Sequence, residues 1–353
     1  MKIGSLGLGT FLGALLGTFV GLVPAQGQPP ISTPAGKAAP RPLYRDPVFD
    51  APTDPVICYI AERNKWFMYY TARRATAADA PGVTWIHGSN IGMAESSDGG
   101  ATWTYRGVAD IGYGKDVHPN DYTYRAPEVI WNDGTYHMFL TFVPGIFNDW
   151  NHPREIVHLT SKDGVKWTTV GPLDLKSDRV IDPCVIQLPG GGWRMWYKDE
   201  RKQMMLSYAN SPDLFHWEAQ GNAVTDHNGE GPKVIHWKGK YWLIADTWAT
   251  GMRVWSSDDC LHWTPQDETL IGSHGDAVIS GGRAWWFYFG GPRVEATNSG
   301  SASQTAAGAA RPVSRRTTAI NVTELSVVNG KLIAGDPARP TFIDLKPERE
   351  AEN

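Results

Sequence analysis

The stretch R-V-I-D-P-C-V-I-Q-L-P-G-G-G-W-R-M-W-Y-K-D, residues 179–199, decides how the chain folds. Val185 and Ile186 lie in an apolar run of strand length, and Gly190 to Gly192 form a bend. Trp193 to Tyr197 then make a second, aromatic run, so the stretch reads as two strands joined by a turn. A carboxylate, Asp182, stands where the first strand begins.

Working outward, the unit recurs. T-D-P-V-I-C-Y-I-A-E-R-N-K-W-F-M-Y-Y-T (53–71) carries Asp54, and R-A-P-E-V-I-W-N-D-G-T-Y-H-M-F-L-T (125–141) carries Glu128. G-E-G-P-K-V-I-H-W-K-G-K-Y-W-L-I-A (229–245) carries Glu230, and H-G-D-A-V-I-S-G-G-R-A-W-W-F-Y-F (274–289) carries His274 and Asp276. We align the five copies on the Val-Ile pair or its equivalent. A second signature follows four of them: S-S-D-G-G-A-T-W ending at Trp103, S-K-D-G-V-K-W at Trp167, S-P-D-L-F-H-W at Trp217 and S-D-D-C-L-H-W at Trp263. Ser and Asp favour tight turns by bonding the backbone, and each Trp anchors the strand that follows. Apolar runs ahead of these turns (91–94, 156–159, 204–206, 253–255) supply a third strand.

Four short strands per unit, repeated five times, predict an all-β, five-bladed β-propeller with antiparallel blades around a central axis. Innermost strands meet at that axis, so their leading polar residues converge there. One isolated Asp would be a turn residue, whereas five units aimed at one axis make a pocket.

Composition agrees. With 16 Trp, 38 Gly and 25 Pro in 353 residues, the chain favours strands and turns over helices. The formal net charge of −4 and the absence of a basic block argue against a nucleic-acid partner. Residues 1–27 have Lys2, a Gly/Leu-rich apolar run and small residues at Ala25 and Gly27, the pattern of a secretory signal peptide. An uncleaved anchor is the rival reading, because the run approaches spanning length. Cleavage predicts a secreted or periplasmic protein with no stable membrane insertion. A Pro-rich linker (28–43), the propeller (44–346) and a charged tail (347–353) complete the expected organisation. Cys58, Cys184 and Cys260 are odd in number and lack metal-ligand spacing, so buried thiols are expected rather than a disulfide scaffold or zinc site. The stretch 296–310 is a low-complexity loop, and 317–333 reads as the hairpin that ends the last blade.

Asp54, Asp182 and Glu230 are the carboxylates expected at the axis; Asp54 is preferred to nearby Asp46 because it directly leads its strand. Hydrolysis of a glycoside needs one carboxyl to protonate the leaving oxygen and another acting from the opposite face of the ring. A third negative charge holds the acid's pKa up. Loops 75–89, 110–124 and 144–154 carry aromatics suited to sugar faces, although a Trp also plugs gaps between blades. Trp85, Trp150, Trp248, Arg125, Glu128, His274 and Arg316 are the candidates for holding a carbohydrate substrate. Glu128 could equally pair with Arg125, and Arg315 and Arg316 could form surface ion pairs.

D-P-V-I, I-D-P-C-V-I, G-E-G-P and H-G-D, in that order along the chain, resemble the motifs of glycoside hydrolase family 43 and its five-bladed relatives. The resemblance runs from Asp54 to Leu332. It implies a general base at Asp54, a pKa-tuning Asp at Asp182 and a general acid at Glu230, with inversion at the anomeric carbon. It also implies that His274 sits at the axis, beside a central calcium or other ion held largely through water; no cofactor is required otherwise. The chain departs from the pattern in two places. Gly231 stands where the family often has Ala, and Arg125 stands where an aromatic precedes the second-blade Ala-Pro. The start motif of the fructan-cleaving families is absent. Two alternatives remain: a sialidase-like hydrolase, because S-S-D-G-G-A-T-W fits an Asp-box, and a glycan-binding propeller without activity. The first calls for six blades and an arginine cluster, and the second would not need three carboxylates.

Overall fold

The computed structural model describes residues 1, 36–77, 80–248, 250–291 and 316–347. The expected signal peptide beyond Met1, the first half of the linker, the loop 296–310, Arg315 and most of the tail lie outside the described residues. Among those described, no helix is long and apolar enough to cross a membrane.

Five antiparallel sheets follow one another along the chain and form a five-bladed propeller. The innermost strands are Pro52–Ile60, Thr123–Asn132, Val180–Gln187, Glu230–Trp237 and Ser273–Ser280. Each pairs with the strand that follows it, then a third and a fourth in sequence order. The second blade gains an extra edge strand, Asp110–Ile111, parallel to Lys166–Pro172. Short turns and alternating apolar residues explain this meander, because antiparallel neighbours need only tight connections.

The cores lie between blades. Val56, Phe67, Tyr69, Met138 and Trp167 fill the first interface, and Phe139, Met195 and Tyr197 the second. Trp196, Leu243 and Trp255 fill the third, Trp242 and Trp286 the fourth, and Met68, Tyr70, Trp285 and Phe287 the last. Truncating one fully buried Trp here would cost about 3–5 kcal/mol. The ring closes where Tyr44 bridges Ile320 and Leu345 N–H donates to Gly99 O at 2.9 Å.

Three of the Ser-x-Asp turns share one geometry, with the Ser accepting three residues on, and the first is one residue longer. Ser96, Ser161, Ser211 and Ser257 accept from the N–H of Gly100, Gly164, Leu214 and Cys260 at 2.9–3.0 Å. Trp103 and Trp217 each return an indole N–H to a carbonyl of their own turn. All three cysteines are buried and free.

Candidate active site at the propeller axis

Every innermost strand carries one extra residue near its start, and these bulges build the site. Pairing with the second strand skips between Thr53 and Val56, Arg125 and Glu128, Ile181 and Cys184, Glu230 and Lys233, and Ser273 and Gly275. Proline explains four of them: Pro55, Pro127, Pro183 and Pro232 have no N–H for the ladder, so pairing yields there. The residue ahead of each proline takes a left-handed backbone, with φ of +51° at Asp54, +45° at Ala126, +58° at Asp182 and +57° at Gly231. For the three that are not glycine this is strained by roughly 1–3 kcal/mol each. Strain of this kind aims side chains.

The bulges also correct the alignment of the first and fifth copies. Asp54, Ala126, Asp182, Gly231 and His274 are equivalent and form one ring around the axis. Val56, Glu128, Cys184, Lys233 and Asp276 form the next ring, one pleat deeper. Aligning the copies on Val-Ile places the first blade one residue out, because Val56 matches Glu128 rather than Val129, and the fifth one residue out the other way, because Val278 matches Ile130. Gly231 is fixed by this geometry: a Cβ there would lie 2.4 Å from the His274 ring.

Asp54, Asp182, Glu230 and His274 come together. His274 lies between two carboxylates, with Nδ1 3.2 Å from Asp54 Oδ1 and Nε2 3.3 Å from Glu230 Oε1. Thr53 and Thr71 hydroxyls donate to Asp54 Oδ2 at 3.0 and 2.8 Å, and Arg73 stands 3.9 Å away. Gly231 N–H donates to Asp182 Oδ2 at 3.0 Å. Lys198 Nζ donates to Glu230 Oε2 at 2.8 Å and lies 3.3 Å from Glu200, which pairs with Arg154 at 2.9 Å. Asp246 accepts from Ser273 Oγ at 2.7 Å.

Burial would raise the Asp54 carboxyl, but contact with His274 and the charges of Arg73 and Arg125 hold it well below the usual range. Glu230 is likewise raised by burial and pulled well below it by Lys198 and His274. Burial raises Asp182; the charges of Glu230 and Asp54 add to that, and His274 and Arg125 oppose it. Burial would strip His274 of its proton, yet Asp54 and Glu230 keep its pKa well above normal. In the ligand-free site the raised carboxyl is therefore Asp182, chiefly through burial, while Glu230 is lowered by its cations.

Other candidates are placed apart from this group. Glu128 is buried in the deeper ring, where Lys233 Nζ contacts both of its oxygens at 3.1 Å and Asp276 at 2.7 Å. Glu128 pairs with Lys233, not with Arg125. Trp85 is 3% exposed and packs with Ala80, Val83 and Ile86 in a small core belonging to its own loop. The Arg316 guanidinium lies 5.9 Å from the Trp85 ring and donates to Ala77 O and Ala80 O at 3.4 Å, so it braces that loop. Trp150 is half-buried under the Arg125 guanidinium at 5.5 Å, and Trp248 lies under Lys198 at 5.1 Å. Asp46 caps Val48 and Phe49 N–H groups away from the axis. Arg73, Lys198 and Asp246 were missed in the sequence. All three stand at the end of second strands, and a charge closing an apolar run such as W-R-M-W-Y-K was the available signal.

A central ion would find few donors here. Asp182, Glu230 and His274 offer ligand atoms within 4.8 Å of one another. Calcium takes about 6–8 oxygens, but this set has two carboxylates, one engaged by Lys198, and an imidazole facing Asp54 and Glu230. It does not fit a directly coordinated hard cation. The cavity below, about 30 Å³ and lined by the bulge prolines, admits water by the usual ~10–15 Å³ threshold.

No family model matches the chain, and no curated protein matches it. Solved structures do. A β-xylosidase superposes with a TM-score of 0.60 at 14% identity, over 84% of this chain and 96% of that one. A thermostable family-43 glycoside hydrolase gives 0.57 at 17%, over 87% and 100%. A GH43 β-xylosidase/α-arabinofuranosidase from a compost microbial metagenome, solved with xylotriose in a calcium-free form, gives 0.56 at 16%, over 90% and 100%. These likenesses establish the shared fold.

Proposed function

We propose that the protein is a glycoside hydrolase of the family 43 type, with Asp54 and Glu230 as its base and acid. The observation that carries this reading is the convergence of Asp54, Asp182 and Glu230 on His274, two of the three on strained bulges. Structural neighbours that are xylosidases and an arabinofuranosidase support the same class. Asp54, ionised and held by two hydroxyls, is suited to take a proton from water. Glu230 must be protonated to assist departure of the leaving group. In the ligand-free site it is ionised and touches two cations, Lys198 at 2.8 Å on Oε2 and His274 at 3.3 Å on Oε1, of which the imidazolium is intrinsically the stronger acid. A proton moved from Nε2 to Oε1 would arm Glu230 and leave neutral imidazole. Asp182, bound to Gly231 N–H, then fixes the strand that carries Glu230.

An imidazole ring fills the gap between Asp54 and Glu230, with contacts of 3.2 and 3.3 Å on its two sides. A gap of that kind suits the ~6.5–9.5 Å separation of inverting pairs. Proton NMR of the first-formed sugar from aryl glycosides tests this directly: inverted product is expected, and retained product rejects the mechanism. The substrate would be a plant-type or other oligosaccharide or polysaccharide. Secretion or export to a periplasm follows from the apolar leader. N-terminal sequencing of exported protein should find a start just after Ala25 or Gly27, and an intact leader would reject cleavage.

A further inference from the structure

Arg125 is the one departure at the axis that brings a new charge. It precedes the second-blade bulge as Glu230 precedes Gly231 on the fourth, so the two occupy equivalent positions. The side chain is 4% exposed, and its Nε and Nη1 have no hydrogen-bond partner. Other buried cations here are matched: Arg73 lies 3.9 Å from Asp54, Arg154 2.9 Å from Glu200 and Lys198 2.8 Å from Glu230. Arg125 has no such carboxylate among the described residues. Its guanidinium carbon lies 5.5 Å from the Trp150 ring centroid, and its backbone is held by pairing with Thr141. A buried charge without a partner is costly, and a rigid guanidinium fork matches two coplanar oxygens.

We propose that Arg125 anchors an anionic substituent, a uronic carboxylate or a sulfate ester, on the sugar bound at the axis. This rests on the glycosidase reading for the identity of the ligand as a sugar. It does not rest on turnover. The rival role is electrostatic, because the Arg125 charge also helps to keep Asp54 and Asp182 ionised; that role predicts no preference for charged sugars.

Calorimetric binding separates these readings without requiring catalysis. The probes are methyl glucuronoside and methyl galacturonoside, their methyl esters, the neutral methyl glucoside and galactoside, and the 6-sulfated forms of the last two. The proteins are the unmutated chain, Arg125→Lys and Arg125→Gln, each checked by thermal melting. The unmutated protein should bind an acidic or sulfated sugar ~10–100-fold more tightly than its uncharged counterpart, the range for a charge-assisted hydrogen bond. That preference should shrink in Arg125→Lys and vanish in Arg125→Gln. Preference for acid over ester assigns the carboxylate, and preference for sulfate over hydroxyl assigns the ester. Equal binding of charged and neutral sugars overturns the proposal, as do a preference that survives in Arg125→Gln and a failure to bind any probe. If Arg125→Gln does not fold, the acid-versus-ester and sulfate-versus-hydroxyl comparisons on the unmutated protein decide alone. Preferential binding without hydrolysis of any glycoside would leave the subsite standing and remove the glycosidase reading; hydrolysis without preference would do the reverse.

Discussion

Two rings of buried polar groups sit on the same five strands, one pleat apart, and they differ in kind. In the deeper ring Lys233 is shared by Glu128 and Asp276, whose other contacts are backbone N–H groups of neighbouring blades. Asp276 accepts from Ile57 N–H at 2.8 Å, Glu128 from Val185 N–H at 3.3 Å and Cys184 from Val234 N–H at 3.2 Å. These bonds tie blade to blade. The bulge ring is unfinished by comparison: Asp182 Oδ1 has no hydrogen-bond partner, Asp54 Oδ1 and His274 Nε2 have only the 3.2 and 3.3 Å ionic contacts at the imidazole, and three of its members are strained. Saturated charge holds the ring of blades together, and unsaturated charge is left for a ligand.

The largest effect should come from the bulge ring and its neighbour. Glu230→Gln and Asp54→Asn should each lower turnover per folded molecule ~10²–10⁴-fold, far more than any loss of folded protein as Lys198, Arg73 and His274 lose a partner charge. A fall in melting temperature with full activity would put these residues in the scaffold and break the contrast. The mirror experiment is Lys233→Met, which leaves two carboxylates buried without their cation. It should cost about 3–5 kcal/mol in denaturant unfolding, with turnover per folded molecule retained. Loss of turnover without loss of stability would move Lys233 into the site.

A pH series sharpens the contrast further. One ammonium serves two carboxylates in the deeper ring, and burial, with Asp276 nearby, pushes Glu128 up to about 7. A carboxyl whose folded pKa is raised favours folding below its unfolded value, near 4.5, and that contribution is lost as pH rises toward 7. Unfolding free energy should therefore lose on the order of 3 kcal/mol from this group across that window. Glu128→Gln should flatten the slope, and an unchanged slope would show that another group titrates. The smallest effect belongs to the rim. Ser211→Ala removes an acceptor for Leu214 N–H and should cost about 1 kcal/mol, with no change in turnover. A loss of activity there would mean the outer turns reach the axis.

The blades were legible because each repeats an apolar pair and a tight turn, and four of the five close on a Ser-x-Asp…Trp signature, all local signals. The three carboxylates were legible for the same reason. Register was not, in the first and fifth blades. Val56-Ile57 looks like Val129-Ile130, yet the prolines at 55, 127, 183 and 232 are what set the bulge, since a missing N–H decides where a ladder breaks. Glu128 shows the remaining limit. It leads a strand as Asp54 does, but stands two residues later relative to the bulge, and in a period-2 strand that places it one pleat deeper. Lys198, Arg73 and Asp246 come from second strands and meet the axis only through folding, so no spacing in the sequence connects them to it.

The central claim is that Glu230 gives a proton to a departing sugar oxygen. The direct measurement is turnover of the unmutated protein and Glu230→Gln on one series of aryl glycosides whose leaving phenols span a wide pKa range. Turnover by the unmutated protein should depend weakly on leaving-group pKa. Glu230→Gln should approach it on the most acidic phenols and fall away steeply as the phenol becomes more basic. Parallel dependences in the two proteins, or a uniform loss across the series, would contradict the assignment.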